Sequence, residues 1–220
     1  MERKPEPELM EDEAQALAYA QADFSEAHDR FVALFTECFP GEPGFGICLD
    51  LGCGPADVLV RFARAHPACR LDGIDGAAAM LALAQRAVDA ARLRDRVRLI
   101  RGYLPGAELP GRDYDAVISN SLLHHLAAPS VLWETAKRHA RPGAALFVMD
   151  LLRPDTLARL DELVERHAAD APPLLRRDFR NSLHAAYRPD EVRLQLDAAG
   201  LGSCRVAVVS DHHWIAFGRL

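Results

Sequence analysis

Ile47-Cys48-Leu49-Asp50-Leu51-Gly52-Cys53-Gly54-Pro55-Ala56 is the stretch on which the reading of this chain turns. Its short apolar run predicts a buried parallel strand. Two glycines follow, and glycine tolerates φ > 0 and lets backbone approach a ligand closely. Pro55 suits the first position of a helix, where its missing N–H costs nothing. A strand, a glycine turn and a helix N-terminus together present free backbone donors. The G-x-G-x-x-G pattern of dinucleotide folds is not completed, because its sixth position is Asp57. Asp50, two residues before the first glycine, adds a carboxylate. Leu71-Asp72-Gly73-Ile74-Asp75 reads as a second strand ending in an acid that can accept both hydroxyls of a ribose.

With these features the chain resembles the class I S-adenosylmethionine-dependent methyltransferases. In that family the segment matching Leu49 to Gly54 carries the cofactor's methionine end, which implies roles for Asp50, Gly52, Cys53 and Gly54. The acid matching Asp75, with Gly76 beside it, holds the ribose. The family's third glycine is Ala56 here. The resemblance covers roughly residues 31–220, with specific motifs only in the first half. It implies an α/β fold: a doubly wound, mostly parallel seven-stranded sheet closed by an antiparallel C-terminal hairpin. Residues 1–44 are expected to form a tail and a helical lid. Residues 45–220 form the methyltransferase domain, with a helical insertion at about 151–188.

The totals fit this reading. A chain of 220 residues that is 50% apolar suits one α/β domain with a full core. Its net charge of −6 argues against a general nucleic-acid surface. The five cysteines are scattered with no C-x-x-C pair, consistent with free thiols in a reducing cytoplasm. The charged N-terminus lacks a secretory apolar segment. No apolar run approaches the ~20 residues of a membrane span. The expected partner is a small-molecule substrate, for a monomer or homodimer without membrane contact.

Residues Met1 to Glu8 read as a loose tail, and Glu11 to Ala22 as helix. Asp23 and Glu26 have capping-box spacing before a helix that places Phe31, Leu34, Phe35 and Cys38 on one face. Pro40, Gly41, Pro43 and Gly44 end it. The resemblance makes Tyr19, Phe24 and His28 substrate-lid candidates; packing against the flank of the sheet is the alternative. Ala56 to Ala65 and Ala77 to Arg92 read as crossover helices, the second carrying Met80, which either touches adenine or belongs to the core. Arg96 to Arg101 alternates like an edge strand. The turn after it, Gly102-Tyr103-Leu104, meets the adenine in the family, usually with an acid where Tyr103 stands.

Asp113 to Ser119 is a fourth strand, running into Asn120-Ser121-Leu122-Leu123-His124-His125-Leu126. Open α/β sheets bind ligands at such strand ends. Asn120 and Ser121 are expected to line the cofactor cleft. His124 and His125 are the candidate catalytic residues, because imidazole titrates near neutral pH; a structural hydrogen bond is the competing reading. Ala144 to Asp150 is the fifth strand, and Asp150 and Arg153 at its end are candidate substrate contacts. Arg176, Arg177, Arg180 and Arg188 make a basic cluster able to meet a carboxylate or phosphate, or to be a solvated helix face.

Methyl transfer from a sulfonium is an in-line displacement that needs near-attack geometry and exclusion of water. A base is needed only if the nucleophile starts protonated. The sequence therefore carries no obligatory catalytic motif. It offers no convincing cluster of acids for a metal, and none is expected. The readings left open are methylation of RNA or protein, and a non-catalytic S-adenosylmethionine-binding scaffold.

Overall fold

The computed structural model describes residues 1–6, 12–40, 45–109 and 113–220. The chain begins with two helices, α1 (Glu13–Gln21) and α2 (Ser25–Cys38). It then alternates β1 (Ile47–Leu51), α3 (Asp57–Ala65), β2 (Arg70–Asp75), α4 (Ala78–Ala90), β3 (Val97–Arg101), β4 (Tyr114–Asn120), α5 (Ser130–His139) and β5 (Ala140–Leu151). Three helices follow, α6 (Leu157–Ala168), α7 (Pro173–Ala185) and α8 (Pro189–Ala198), and then β6 (Arg205–Val208) and β7 (His213–Arg219).

The strands form one seven-stranded sheet in the order β3-β2-β1-β4-β5-β7-β6. β1 to β5 run parallel, and β7 returns antiparallel to both β5 and β6. The order reverses between β1 and β4, so a crevice opens there beyond the strands' carboxyl ends. The expected fold class is thus the observed one, with β3 at the edge as its alternating pattern implied.

Each face of the sheet carries its own core. On one, Phe35 packs edge-on against Phe62 and Phe147 at centroid distances of 4.8 and 5.6 Å. This joins α2 and α3 to the sheet. On the other, the buried Trp133, Tyr187 and Trp214 join α5 and α8 to β4, β5 and β7. Burial of each large apolar side chain contributes about 1.5–3 kcal/mol.

Local details differ from expectation in three places. Pro55 lies outside α3, which starts at Asp57, because Ala56 takes a left-handed conformation at φ 67° and extends the turn by a residue. Asp23 and Glu26 do not form a capping box: Phe24 is the N-cap residue of α2, and Asp23 accepts from Ser25, its amide at 3.0 Å. Residues 1–6 are anchored rather than loose. The Lys4 amide donates to the His184 carbonyl at 3.1 Å, and the Arg3 guanidinium donates to the carbonyls of Ala185 and His124. The expected helix start at Glu11 and the breakers Gly41, Pro43 and Gly44 lie outside the described residues.

Candidate functional site

At the end of β1 the chain turns on Gly52 (φ 74°) and Gly54 (φ 50°), backbone angles that glycine reaches without strain. The Gly52 and Cys53 amides both donate to the Ile74 carbonyl at 2.9 Å, which ties this turn to the end of β2. A Cβ at Gly52 would lie 2.8 Å from Leu122, so only glycine lets the two loops meet. Asp75 completes the cradle. Its carboxylate accepts the Gly54 amide at 2.9 Å and the Ala77 amide at 2.8 Å.

Asp50 lies beneath this turn and is 2% exposed. Its Oδ2 is buried and makes no hydrogen bond among the described residues. Burial, with the nearby charge of Asp75, pushes its pKa up to about 8. A buried carboxylate in this state fits a cationic partner such as an ammonium or sulfonium.

The cradle opens into a cleft of about 1100 Å³. Asp50, Gly52, Cys53, Gly54, Asp75, Gly76, Met80, Gly102, Tyr103, Leu104, Asn120 and Ser121 all line it, as do His124, His125, Tyr19, Phe24 and His28. Met80 is also core, packed with Ala16 and Ala77. Tyr103 is half-exposed at the rim. Tyr19 and Phe24 stack at 4.9 Å over one side of the cleft. The His28 Nδ1 sits 2.6 Å from Asp57 Oδ2, which fastens α2 to the first turn of α3. That hydrogen bond, with the one from Arg61, brings the Asp57 pKa down to about 2.

The far wall of the cleft carries the histidines. After β4 the chain makes a 3-10 turn over Leu123–His125. Asp150, at the end of β5, holds that turn: it accepts the Leu123 amide at 2.7 Å and faces His124 Nδ1 at 2.5 Å. Burial pushes the His124 imidazole down, but the charge and hydrogen bond of Asp150, with the charge of Glu6, outweigh it and leave the pKa raised. Burial likewise raises Asp150, and His124 more than reverses it, leaving its carboxyl below the usual range.

The candidate substrate contacts after β5 are placed elsewhere. Asp150 is buried behind His124 rather than lining the cleft. Arg153 is buried too, spent on the Ala186 carbonyl and on Glu191. Arg180 pairs with Asp161, as Arg176 does with Glu165, Arg177 with Asp178 and Arg188 with Asp155. These arginines form ion-paired surface and give no support to a phosphate-binding strip.

Sequence reasoning missed Glu6. Its Oε1 lies 3.4 Å from both His124 Nε2 and His125 Nδ1. It also missed the wall made by Asp178, Ser182, His167, Asp211 and His212, which lines the same cleft from α6, α7 and the β6–β7 turn. The adjacent His212 and His213 in the sequence are the signal that could have pointed to that wall.

Known proteins share this architecture. Residues 49–146 match the family model described as Methyltransferase domain. The chain has the class I S-adenosylmethionine-dependent methyltransferase fold. A S-adenosylmethionine-dependent methyltransferase from Aquifex aeolicus superimposes with a TM-score of 0.67 at 20% identity, over 94% of this chain and 98% of that one. An uncharacterized methyltransferase of Mycobacterium tuberculosis is 31% identical over 126 residues, 57% of this chain and 56% of its own length. Trans-aconitate 2-methyltransferase from Azoarcus is 28% identical over 100 residues, 46% of this chain and 37% of its own. The chain thus spans little more than half the length of the curated relatives it matches.

Proposed function

We propose that this protein transfers the methyl group of S-adenosylmethionine to a small-molecule acceptor. One observation carries the reading. The acid-flanked glycine turn, with the buried Asp50 Oδ2 that makes no hydrogen bond among the described residues, shares a single cleft with the histidine turn that Asp150 orients. Asp50 and the Gly52–Gly54 turn hold the amino-acid end of the cofactor, Asp75 the ribose, and the backbone of Gly102 to Leu104 borders the adenine. Tyr19, Phe24 and His28 cover the acceptor.

The bound cofactor supplies an electrophilic methyl on a sulfonium. The chain's residues position the acceptor in line with it and exclude water, which is the larger part of such catalysis. Asp150 faces His124 Nδ1, so that nitrogen carries the proton and Nε2 keeps its lone pair. His124 thereby takes the proton of a protonated acceptor, and His125 lines the acceptor side beside it. Asp150 and Arg153 act as supports rather than substrate contacts.

The trans-aconitate enzyme, whose name gives a small carboxylic acid as acceptor, supports the small-molecule reading. The paired arginines and the net charge of −6 weigh against a nucleic-acid acceptor. No helix among the described residues is long and apolar enough to cross a membrane; with scattered free thiols, a cytoplasmic monomer or homodimer is the consistent setting. The test is incubation with labelled S-adenosylmethionine and fractionated small metabolites. A labelled low-mass product, absent for Asp75→Ala, supports the reading; label found only in RNA or protein overturns it.

A further inference from the structure

We propose that Glu6, His124 and His125 form a binding site for one divalent cation, zinc by preference, at the acceptor end of the cleft. The two distances from Glu6 match those between ligands of a coordination shell, and a small rotation of the rings would bring the histidine nitrogens to the same spacing. Glu6 Oε1 lies 3.4 Å from His124 Nε2 and 3.4 Å from His125 Nδ1, and the three residues can each bring one ligand atom within 4.8 Å of the others. Zinc binds imidazole nitrogen and carboxylate oxygen at about 2.0–2.2 Å, which places tetrahedral ligands about 3.3–3.6 Å apart. An octahedral magnesium shell at about 2.1 Å would bring them to about 3.0 Å.

Three further observations point to a ligand. Glu6 Oε1 is buried and makes no hydrogen bond among the described residues, although two ring nitrogens stand near it. The Ser182 hydroxyl donates to the same carboxylate and fixes its orientation. Behind His124, Asp150 takes up Nδ1 at 2.5 Å, which leaves Nε2 as a lone-pair donor facing Glu6. This is the carboxylate–histidine–metal arrangement that fixes the tautomer of a ligating imidazole. The donor set, two imidazoles and a carboxylate, suits zinc among common divalent ions.

Three protein ligands leave a fourth position. His124 and His125 line the cleft, so that position opens to the acceptor side. There the cation would bind an acceptor oxygen or sulfur and promote loss of its proton to solvent. In the loaded protein His124 is then a ligand, and in the metal-free protein it is the proton acceptor. Binding of the cation is independent of methyl transfer; only this role for it rests on the function proposed above. The site also gives residues 1–6 a purpose: the Arg3 hydrogen bonds to the carbonyls of His124 and Ala185 hold Glu6 against the cleft.

The test is calorimetric titration of chelator-treated protein with zinc chloride, repeated with magnesium chloride. The expected result is one zinc per chain at micromolar affinity or better, with magnesium far weaker. Glu6→Gln and His125→Ala should each weaken zinc at least tenfold, and Asp150→Asn, behind the ligands, by about 10–100-fold. Circular dichroism melts show which variants remain folded, and Glu6→Gln, on the terminal segment, keeps the test valid if Asp150→Asn does not fold. Absence of zinc binding overturns the proposal. So does binding that survives Glu6→Gln and His125→Ala but is lost in His167→Ala with His212→Ala, since that places the ion on the neighbouring His167–Asp211–His212 group. Thermal stabilisation by S-adenosylhomocysteine in the same samples separates the two readings: zinc binding without it leaves the site and removes the cofactor, and the converse removes only the site.

Discussion

The Asp75 carboxylate accepts the Gly54 amide at 2.9 Å, so the acid at the end of β2 is part of the turn that follows β1. The two motifs are therefore one device, and a ligand that engages either meets both. Charge-assisted hydrogen bonds of this kind contribute about 1.5–3 kcal/mol. Asp75→Asn should cut affinity for S-adenosylhomocysteine by about 10–100-fold, measured by calorimetry. Unchanged affinity would remove Asp75 from the site.

Asp50 makes that affinity depend on pH. Its pKa of about 8 in the free protein means that it is largely protonated at pH 6. A cationic ligand binds the ionised form, so affinity should rise by up to tenfold per unit between pH 6 and 8. Asp50→Asn should bind weakly and lose this slope. Stability follows the opposite sign. A folded-state pKa above the unfolded value favours the protonated fold, and that advantage is lost as pH rises from about 4 through 8. The free Asp50→Asn protein should therefore melt higher than wild type at pH 8 and nearly the same at pH 4, in a scanning fluorimetry series.

The two turn glycines should fail differently. Gly52→Ala meets Leu122 at 2.8 Å and strains φ 74°, for a loss of about 2–4 kcal/mol of stability. Gly54→Ala has no atom within 4 Å of its new Cβ and costs only the strain of φ 50°, about 1–2 kcal/mol. Gly54→Ala should thus fold yet bind the cofactor poorly, because its methyl enters the cleft. Denaturant melts paired with calorimetry read both effects.

His124 should leave its mark on the rate. As a proton acceptor it works when neutral, so metal-free turnover of a protonated acceptor should rise with pH through a midpoint raised above that of a free imidazole by Asp150 and Glu6. Asp150→Asn removes the charge that holds the midpoint up and should move it to lower pH while reducing the plateau. A pH–rate profile that Asp150→Asn leaves in place would contradict this role.

The sheet and the acid-flanked glycine turn were legible because their signals are local. Asp50, Gly52, Gly54 and Asp75 sit at fixed offsets from apolar strands, and parallel strands align those offsets across neighbours. The histidine wall of the cleft was only half legible. His124 and His125 stood out, but Glu6 comes from the N-terminal segment far away along the chain, whose composition reads as tail, and is held there through Arg3. Asp150 and Arg153 were placed correctly along the chain and wrongly in role. Position at a strand end does not say whether a side chain points into the cleft or, as here, is consumed by His124 and Glu191. The basic cluster around α7 takes the solvated, ion-paired alternative: Arg177 pairs with its neighbour Asp178, while the partners of Arg176, Arg180 and Arg188 come from α6 and the segment before it.

The central claim is most directly tested by calorimetric titration of the purified protein with S-adenosylhomocysteine at pH 8. One site per chain with micromolar affinity, lost in Asp75→Ala, is the predicted result. No heat of binding at millimolar ligand from folded protein would contradict it.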